Sequence, residues 1–284
     1  MIDLIREKTG ASLRRVCKVL ELPRSSYYDS LIPTTTQIED EALGDQIEAI
    51  FHHHLRRYGY RRVQEDLHDL GHTCSAARVR RLMKERGLYA IQPKNFVPKT
   101  SDGRADKPSP NLLADQPLPD APNRVWAGDI TFIPTSQGWR YLALVIDLYS
   151  RRIVGWSLAN HMRADLVCNA LKQALGSRRD FEGVIFHSDR GSQYGSSKFR
   201  ALLGEASARQ SMSARANPYD NAWTESFIGT LKNEMLQNGT FIDESDARVE
   251  LFAYIDGYYN SRRKHSSLGY LSPTVFESQS HYQN

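Results

Sequence analysis

The front of the chain is written at the helical period. In residues 12–21, Leu13, Val16, Cys17 and Leu20 recur at i, i+3, i+4 and i+7, which is one apolar face of a helix. Pro23 interrupts it, and Ser25 or Ser26 is placed to cap a short second helix through Tyr27 and Tyr28. Residues 1–34 therefore read as a helix-turn-helix-like segment or as another small helical hairpin. From about Ile38 to Tyr89 the period returns three times. Ile47, Ile50, Phe51 and Leu55 mark one helix. Val63, Leu67 and Leu70 mark a second, stopped by Gly71, and Val79, Leu82 and Met83 a third, which Ser75 can cap. These place a second helical module over residues 35–91. Residues 92–123 are rich in Pro, Asp, Asn and Lys without a sustained period, and read as an extended linker.

Beyond the linker the period falls to two. VWAGDITFIP puts Trp126, Ile130 and Phe132 on one face and Asp129 and Thr131 on the other. YLALVID is a continuous apolar run, and RRIVGWSL follows after a short turn, so a meander is expected. A helix comes next, with Val167, Ala170, Leu171, Ala174 and Leu175 on one face and Gly176 at its end. VIFHSD then leads into the loop RGSQYGS and a helix through Phe199, Leu202 and Leu203. Strands first, then helices alternating with strands, predict an α/β core with a mixed sheet over residues 124–238. A C-terminal helical extension over 239–284 completes the division.

Composition narrows the setting. No apolar run approaches the ~18 residues that span a bilayer, and the N-terminus has no apolar signal core. The three cysteines are far apart and odd in number, so a reducing cytoplasm without disulfides or a membrane partner is expected. The net charge is +4, but residues 1–108 hold 19 Lys/Arg against 15 Asp/Glu while the remainder holds 18 of each. A basic front on a neutral rear suits a nucleic-acid anchor. In the third helix of the second module, Arg78, Arg81 and Glu85 share a face, with Arg80, Lys84 and Arg86 nearby, a candidate for groove insertion. RRYGYRR sets Arg61 and Arg62 among tyrosines, which suits phosphate contacts beside stacking. A solvated basic helix is the alternative. His52, His53 and His54 read as a solvated helix end. His68, His72 and Cys74 lack the paired cysteines of a zinc module.

Three acids stand out by position. Asp129 lies inside an apolar strand, Asp189 ends another, and Glu225 lies in a helix beginning near Asp220 or Asn221. Singly each reads as a turn, cap or surface acid. Together they suggest a shared divalent cation, because a carboxylate in a core strand is costly unless something pairs with it and Mg²⁺ or Mn²⁺ prefers oxygen ligands. In the helix around Glu225, Trp223, Phe227, Leu231 and Met235 are expected to bury, while Ala222, Glu225, Gly229 and Lys232 share another arc. Asp147 is either a fourth acid or, the favoured reading, a turn residue accepting N–H groups near Tyr149. His187 and Gln193 flank Asp189, where they can position DNA or a water.

WAGDITFIP, HSDRGSQY and NPYDNAWTESFIGTLKNE closely resemble the three acid motifs of the transposase–retroviral-integrase superfamily, with 35 residues between Asp189 and Glu225. More narrowly, the chain resembles the second-reading-frame protein of bacterial insertion sequences. YNSRRKHSSLGYLSP (Tyr259 to Pro273) is similar to that group's C-terminal signature, and RYGYRRVQEDL through MKERGLYA to its N-terminal helical module. The resemblance implies a ribonuclease-H-like fold and a DDE transposase that binds element ends, cleaves double-stranded DNA and joins its 3′ ends to new DNA. It further implies two Mg²⁺ or Mn²⁺ ions, catalysis and metal binding at Asp129, Asp189 and Glu225, and DNA contact at Lys232. A homo-oligomer on DNA and a companion first-frame protein are the implied partners. A glycine is common in the family before the position matched by Asn217; here it is Ala216. A ribonuclease-H-like nuclease that does not rejoin, or a regulator that has lost catalysis, would share these motifs in part. The two helical modules disfavour the former and the intact triad the latter.

Overall fold

A computed structural model describes residues 1–92, 108–114, 116–213, 222–236 and 239–280. Ala216, Asn217 and residues 93–107 of the expected linker therefore lie outside the described residues. Two compact units emerge, Met1–Ala90 and Ile91–Asn284.

The first unit is helical: α1 (Ile2–Thr9), α2 (Leu13–Val19), α3 (Arg24–Asp29), α4 (Thr35–His53), α5 (Tyr60–Asp69) and α6 (Ala76–Glu85). Helix α1 gave no periodic signal because it buries none of its residues. Pro23, not Ser25 or Ser26, is the N-cap of α3; both serines fall inside the helix. Helix α4 starts before Ile38, since Thr34 and Gln37 form a reciprocal capping box. Ile47, Ile50, Phe51, Val63, Leu67, Val79, Leu82 and Met83 close the core as the pattern required. Leu55 and Leu70 do not: they are 62% and 60% exposed, because each lies past its helix, where the chain has turned away. Ser75 caps α6 by accepting the Arg78 N–H at 3.2 Å. His52 and His53 are exposed, whereas His54 is buried, hydrogen-bonded to Asp66 at 2.7 Å and stacked on Tyr58. Burying the ring on Tyr58 next to a carboxylate removes it from the solvated end expected of it.

The second unit holds β1 (Val125–Thr135), β2 (Gly138–Asp147), β3 (Ile153–Ala159), α7 (Ala164–Ser177), β4 (Ile185–Ser188), α8 (Ser192–Gly195), α9 (Ser197–Glu205), β5 (Arg209–Met212), α10 (Ala222–Met235), α11 (Glu244–Tyr254) and α12 (Pro273–Ser280). The sheet runs β3-β2-β1-β4-β5; β1, β2 and β3 are antiparallel, while β1–β4 and β4–β5 are parallel. This is the ribonuclease-H-like mixed sheet that the motifs imply. Strand alternation divides its core in two. Trp126 and Ile130 face Leu166, Leu171, Phe199 and Leu203 of α7 and α9. Val125, Ala127 and Ile133 face Phe227, Leu231, Leu251 and Tyr254 of α10 and α11. Helix α7 crosses β3 so closely at Gly155 that a Cβ there would run into the Ala170 carbonyl. Strand β5 was not expected, because RQSM is short and largely polar. Beside it, the end of the expected linker is docked: the Leu112 N–H reaches Ser211 Oγ at 2.9 Å and the Met212 N–H reaches the Pro110 carbonyl at 3.3 Å.

The C-terminal extension is tied into this core by buried polar groups. Asn260 bridges the backbone of Ile153 through both its amide atoms, each at 2.9 Å. Arg178 pairs with Glu277 of α12 and with Asp147. Arg263 forks onto Glu234 of α10 at 2.7–3.1 Å, and the Tyr254 hydroxyl donates to the same carboxylate at 2.9 Å. Among the described residues no helix is long and apolar enough to cross a membrane, and Cys17, Cys74 and Cys168 are buried and unpaired with one another. Removing one side of a buried ion pair strands the other charge, which costs about 3–5 kcal/mol. Arg263→Ala is therefore expected to lose about that much stability in denaturant unfolding; a loss under about 1 kcal/mol would show Glu234 reaching water.

Candidate active site

Strands β1 and β4 pair in parallel with Gly128 opposite Ser188. The next residues, Asp129 and Asp189, therefore leave neighbouring strands at the same level, on strands ~4.8 Å apart. Pleat parity points both to the face opposite Trp126 and Phe186. That is the face on which α10 packs, carrying Glu225 and Lys232. Asp129 is 7% exposed and its Oδ1 accepts the Ile130 N–H at 2.7 Å. Burial pushes its carboxyl up to about 8; Asp189 and Glu225 push the same way, while the Ile130 N–H and Lys232 oppose them. Asp189 is held by the Gly191 N–H at 2.9 Å. Burial draws the half-buried Lys232 ammonium down, and the Asp129 charge partly restores it. Glu234, a possible partner for Lys232, is instead taken by Arg263. The four side chains thus share one electrostatic field. Among the described residues no three Asp, Glu, His or Cys side chains close around a single point as a metal cluster would.

Neighbouring candidates fall elsewhere. Asp147 is fully buried and accepts the Asn123 and Tyr149 N–H groups at 2.8 and 2.9 Å, a turn role. The Gln193 amide donates to the Met162 carbonyl at 2.9 Å, which ties it to the surrounding loop. His187 is fully buried beneath the surface, with Nδ1 2.8 Å from Ser211 Oγ. Trp223 was expected to bury with Phe227, Leu231 and Met235. It is 36% exposed, because its ring covers the Arg151 guanidinium rather than the sheet.

Tyr194 escaped the sequence reading. It is 2% exposed, and its hydroxyl has no hydrogen-bond partner among the described residues. Burial first, then Asp129 and Asp189, raise its pKa well above the ordinary phenol value. A Cβ at Gly128 would meet the Phe186 ring and the Tyr194 hydroxyl. The signal was a glycine in the middle of an apolar strand, which marks close approach.

In the helical unit, the expected DNA contacts Arg78 and Arg81 are engaged within the protein. Arg78 Nε and Arg81 Nη2 both donate to Asp40 of α4, at 2.6 and 2.5 Å, and Arg81 also pairs with Glu85. Arg86 is shared among Glu41, Asp45 and Glu48. Acids on α4 thus draw that basic face inward to hold α6. Arg61, Arg80 and Lys84 remain exposed. Arg61 and Arg80 lie 5.4 and 6.0 Å from the Tyr60 ring centroid, and Arg62 lies 5.6 Å from that of Tyr58.

The chain is similar to known proteins. An integrase core domain family matches residues 119–218, a second family of the same description matches 206–273, and an HTH-like domain family matches 37–96. The transposase for insertion sequence element IS904 of Lactococcus lactis is 43% identical over 86% of this chain and 97% of its own length. Transposase InsF for insertion sequence IS3A of Escherichia coli is 38% identical over 94% of each chain. The chain belongs to the insertion-sequence transposase family. An HTLV-2 integrase catalytic core solved with magnesium aligns at a TM-score of 0.43, with 16% identity, over 56% of the transposase and 98% of that chain.

Beside the acids of the transposase, the unpartnered Tyr194 hydroxyl supplies a direct check on the packing. Deleting a buried, unsatisfied hydroxyl removes a desolvation penalty. Tyr194→Phe is expected to leave thermal stability unchanged or raised by up to about 1 kcal/mol. A clear loss of stability would mean that the hydroxyl has an acceptor.

Proposed function

We propose that this transposase binds the ends of its insertion sequence, cleaves the DNA strands and joins their 3′ ends to new DNA by two-metal-ion phosphoryl transfer. The observation that carries this reading is the level placement of Asp129 in β1 and Asp189 at the end of the parallel strand β4, on the face where the helix bearing Glu225 packs. Their chemistry fits a hard divalent cation. The donors are all carboxylate oxygens, and Asp129 is a buried carboxyl whose charge two other acids destabilise, a deficit that added positive charge would relieve. Asp129, Asp189 and Glu225 would hold Mg²⁺ or Mn²⁺. Bound there, the ions supply the charge that activates an attacking water or 3′-hydroxyl and steadies the leaving oxygen. The Ile130 and Gly191 N–H groups fix the Asp129 and Asp189 carboxylates. Lys232, seven residues beyond Glu225 and so on the same side of α10, presents a point charge to a neighbouring phosphate.

The helical module over residues 35–91 anchors the element end. Its phosphate contacts are assigned to Arg61, Arg62, Arg80 and Lys84, with Arg78 and Arg81 acting through the hold they give α6. Double-stranded DNA is then both anchor and substrate, in the bacterial cytoplasm. A homo-oligomer on paired ends, with the companion first-frame protein as a further partner, follows from the family reading.

Two experiments test this. Asp129→Asn, Asp189→Asn and Glu225→Gln are each expected to abolish Mg²⁺-dependent cleavage while leaving binding to end DNA intact; near-normal cleavage in any one would remove that residue from the site. In the same assay, strand transfer should fall from Lys232→Arg through Lys232→Ala to Lys232→Glu, with stability within about 0.5 kcal/mol. For the anchor, Arg61→Ala and Arg80→Ala should each flatten the dependence of log affinity on log salt by about one unit. Equal salt slopes in the variants and the parent would place the DNA face elsewhere.

A further inference from the structure

Arg151 sits in the turn between β2 and β3 under unusual conditions. Its backbone is left-handed, φ 62°, with its N–H on the Asp147 carbonyl at 2.9 Å. Its side chain is 9% exposed, yet among the described residues no carboxylate forms an ion pair with it, and its Nη1 has no hydrogen-bond partner. Burial lowers its pKa, with Tyr259 and Asp147 partly offsetting this. What the guanidinium does have is an aromatic face: its central carbon lies 3.6 Å from the centroid of the Trp223 ring. A desolvated cation on an indole is the strong form of the cation–π contact.

Trp223 lies in the first turn of α10, two residues before Glu225. At ~100° per residue the two side chains leave the helix about 200° apart. The stack therefore grips α10 from the side opposite Glu225. Farther along, α10 is held by Phe227 and Leu231 in the core and by Glu234 on Arg263. At the first turn the hold comes from buried Thr224 and from Trp223 on Arg151.

We infer that the Arg151–Trp223 stack is a positioning device that sets the rotation of α10 and so fixes where Glu225 stands relative to Asp129 and Asp189. This rests on the reading of Glu225 as a metal-holding acid. Arg151 and Trp223 touch neither metal nor DNA in this role; they act through the helix. A cation without a carboxylate suits the task, since an acid partner would add a further negative charge to a unit that already gathers three.

The test uses the full-length protein and Mn²⁺ alone, without DNA. Affinity is read from water-proton relaxation and melting temperature is followed in parallel, for Trp223→Phe, Trp223→Leu, Arg151→Met, the Arg151→Met/Trp223→Leu double variant and Glu225→Gln. Phenylalanine keeps a π-face and should stay within about threefold of the parent. Leucine keeps apolar volume without the face and should weaken Mn²⁺ binding about tenfold, as should Arg151→Met. The double variant should be no worse than either single one, because one interaction is lost in all three. Strand transfer should show a matching rise in the Mg²⁺ concentration needed for half-maximal rate, without loss of the rate at saturating Mg²⁺. Parent-like Mn²⁺ affinity in the leucine variant, or additive losses in the double variant, would overturn the positioning role while leaving Glu225 in place if Glu225→Gln weakens binding. Unchanged binding in Glu225→Gln would overturn both readings.

Discussion

Two carboxylates emerging at one level from hydrogen-bonded parallel strands set the terms for the catalytic unit. The Gly128–Ser188 register brings the residues that follow, Asp129 in β1 and Asp189 just past β4, to one level. Asp129 is nearly excluded from water, and the charges of Asp189 and Glu225 add to the cost of ionising it. The carboxyl pushed up to about 8 expresses that conflict. The conflict is tolerated because the apolar clusters on both faces of the sheet hold the strands.

The third acid arrives differently. Glu225 belongs to no strand, so its position depends on how α10 is seated. Phe227 and Leu231 bury the middle of that helix, Arg263 holds Glu234 near its end, and Trp223 covers Arg151 at its start. Two of these holds reach into the C-terminal extension, where Tyr259 packs edge-on against Phe227 and Arg263 forks onto Glu234. The signature around Tyr259 to Pro273 thus acts as part of the catalytic fold.

The helical unit spends much of its charge on itself. Asp40, Glu41, Asp45 and Glu48 of α4 engage Arg78, Arg81 and Arg86, so much of the basic count joins one helix to another. These pairs hold Arg78 and Arg81 of α6, and Arg86, within the protein. Arg61, Arg80 and Lys84 remain on the surface, two of them beside Tyr60.

By itself the sequence determined the elements whose side chains repeat at a structural period. The buried faces of α4, α5, α6 and α7 and the alternation of β1 were legible because burial selects apolar residues every 3.6 or every two positions. The family was legible too, from motifs along most of the chain. Elements that bury little or are polar, α1 and β5, left no such trace. Tertiary structure alone decided the partners. Asp40 lies 38 residues from Arg78, Glu234 lies 29 from Arg263, and Arg151 meets Trp223 across 72 residues of chain. A charge or a ring carries no periodic mark of what it will meet, because its partner is fixed by how separate elements pack rather than by spacing along one of them.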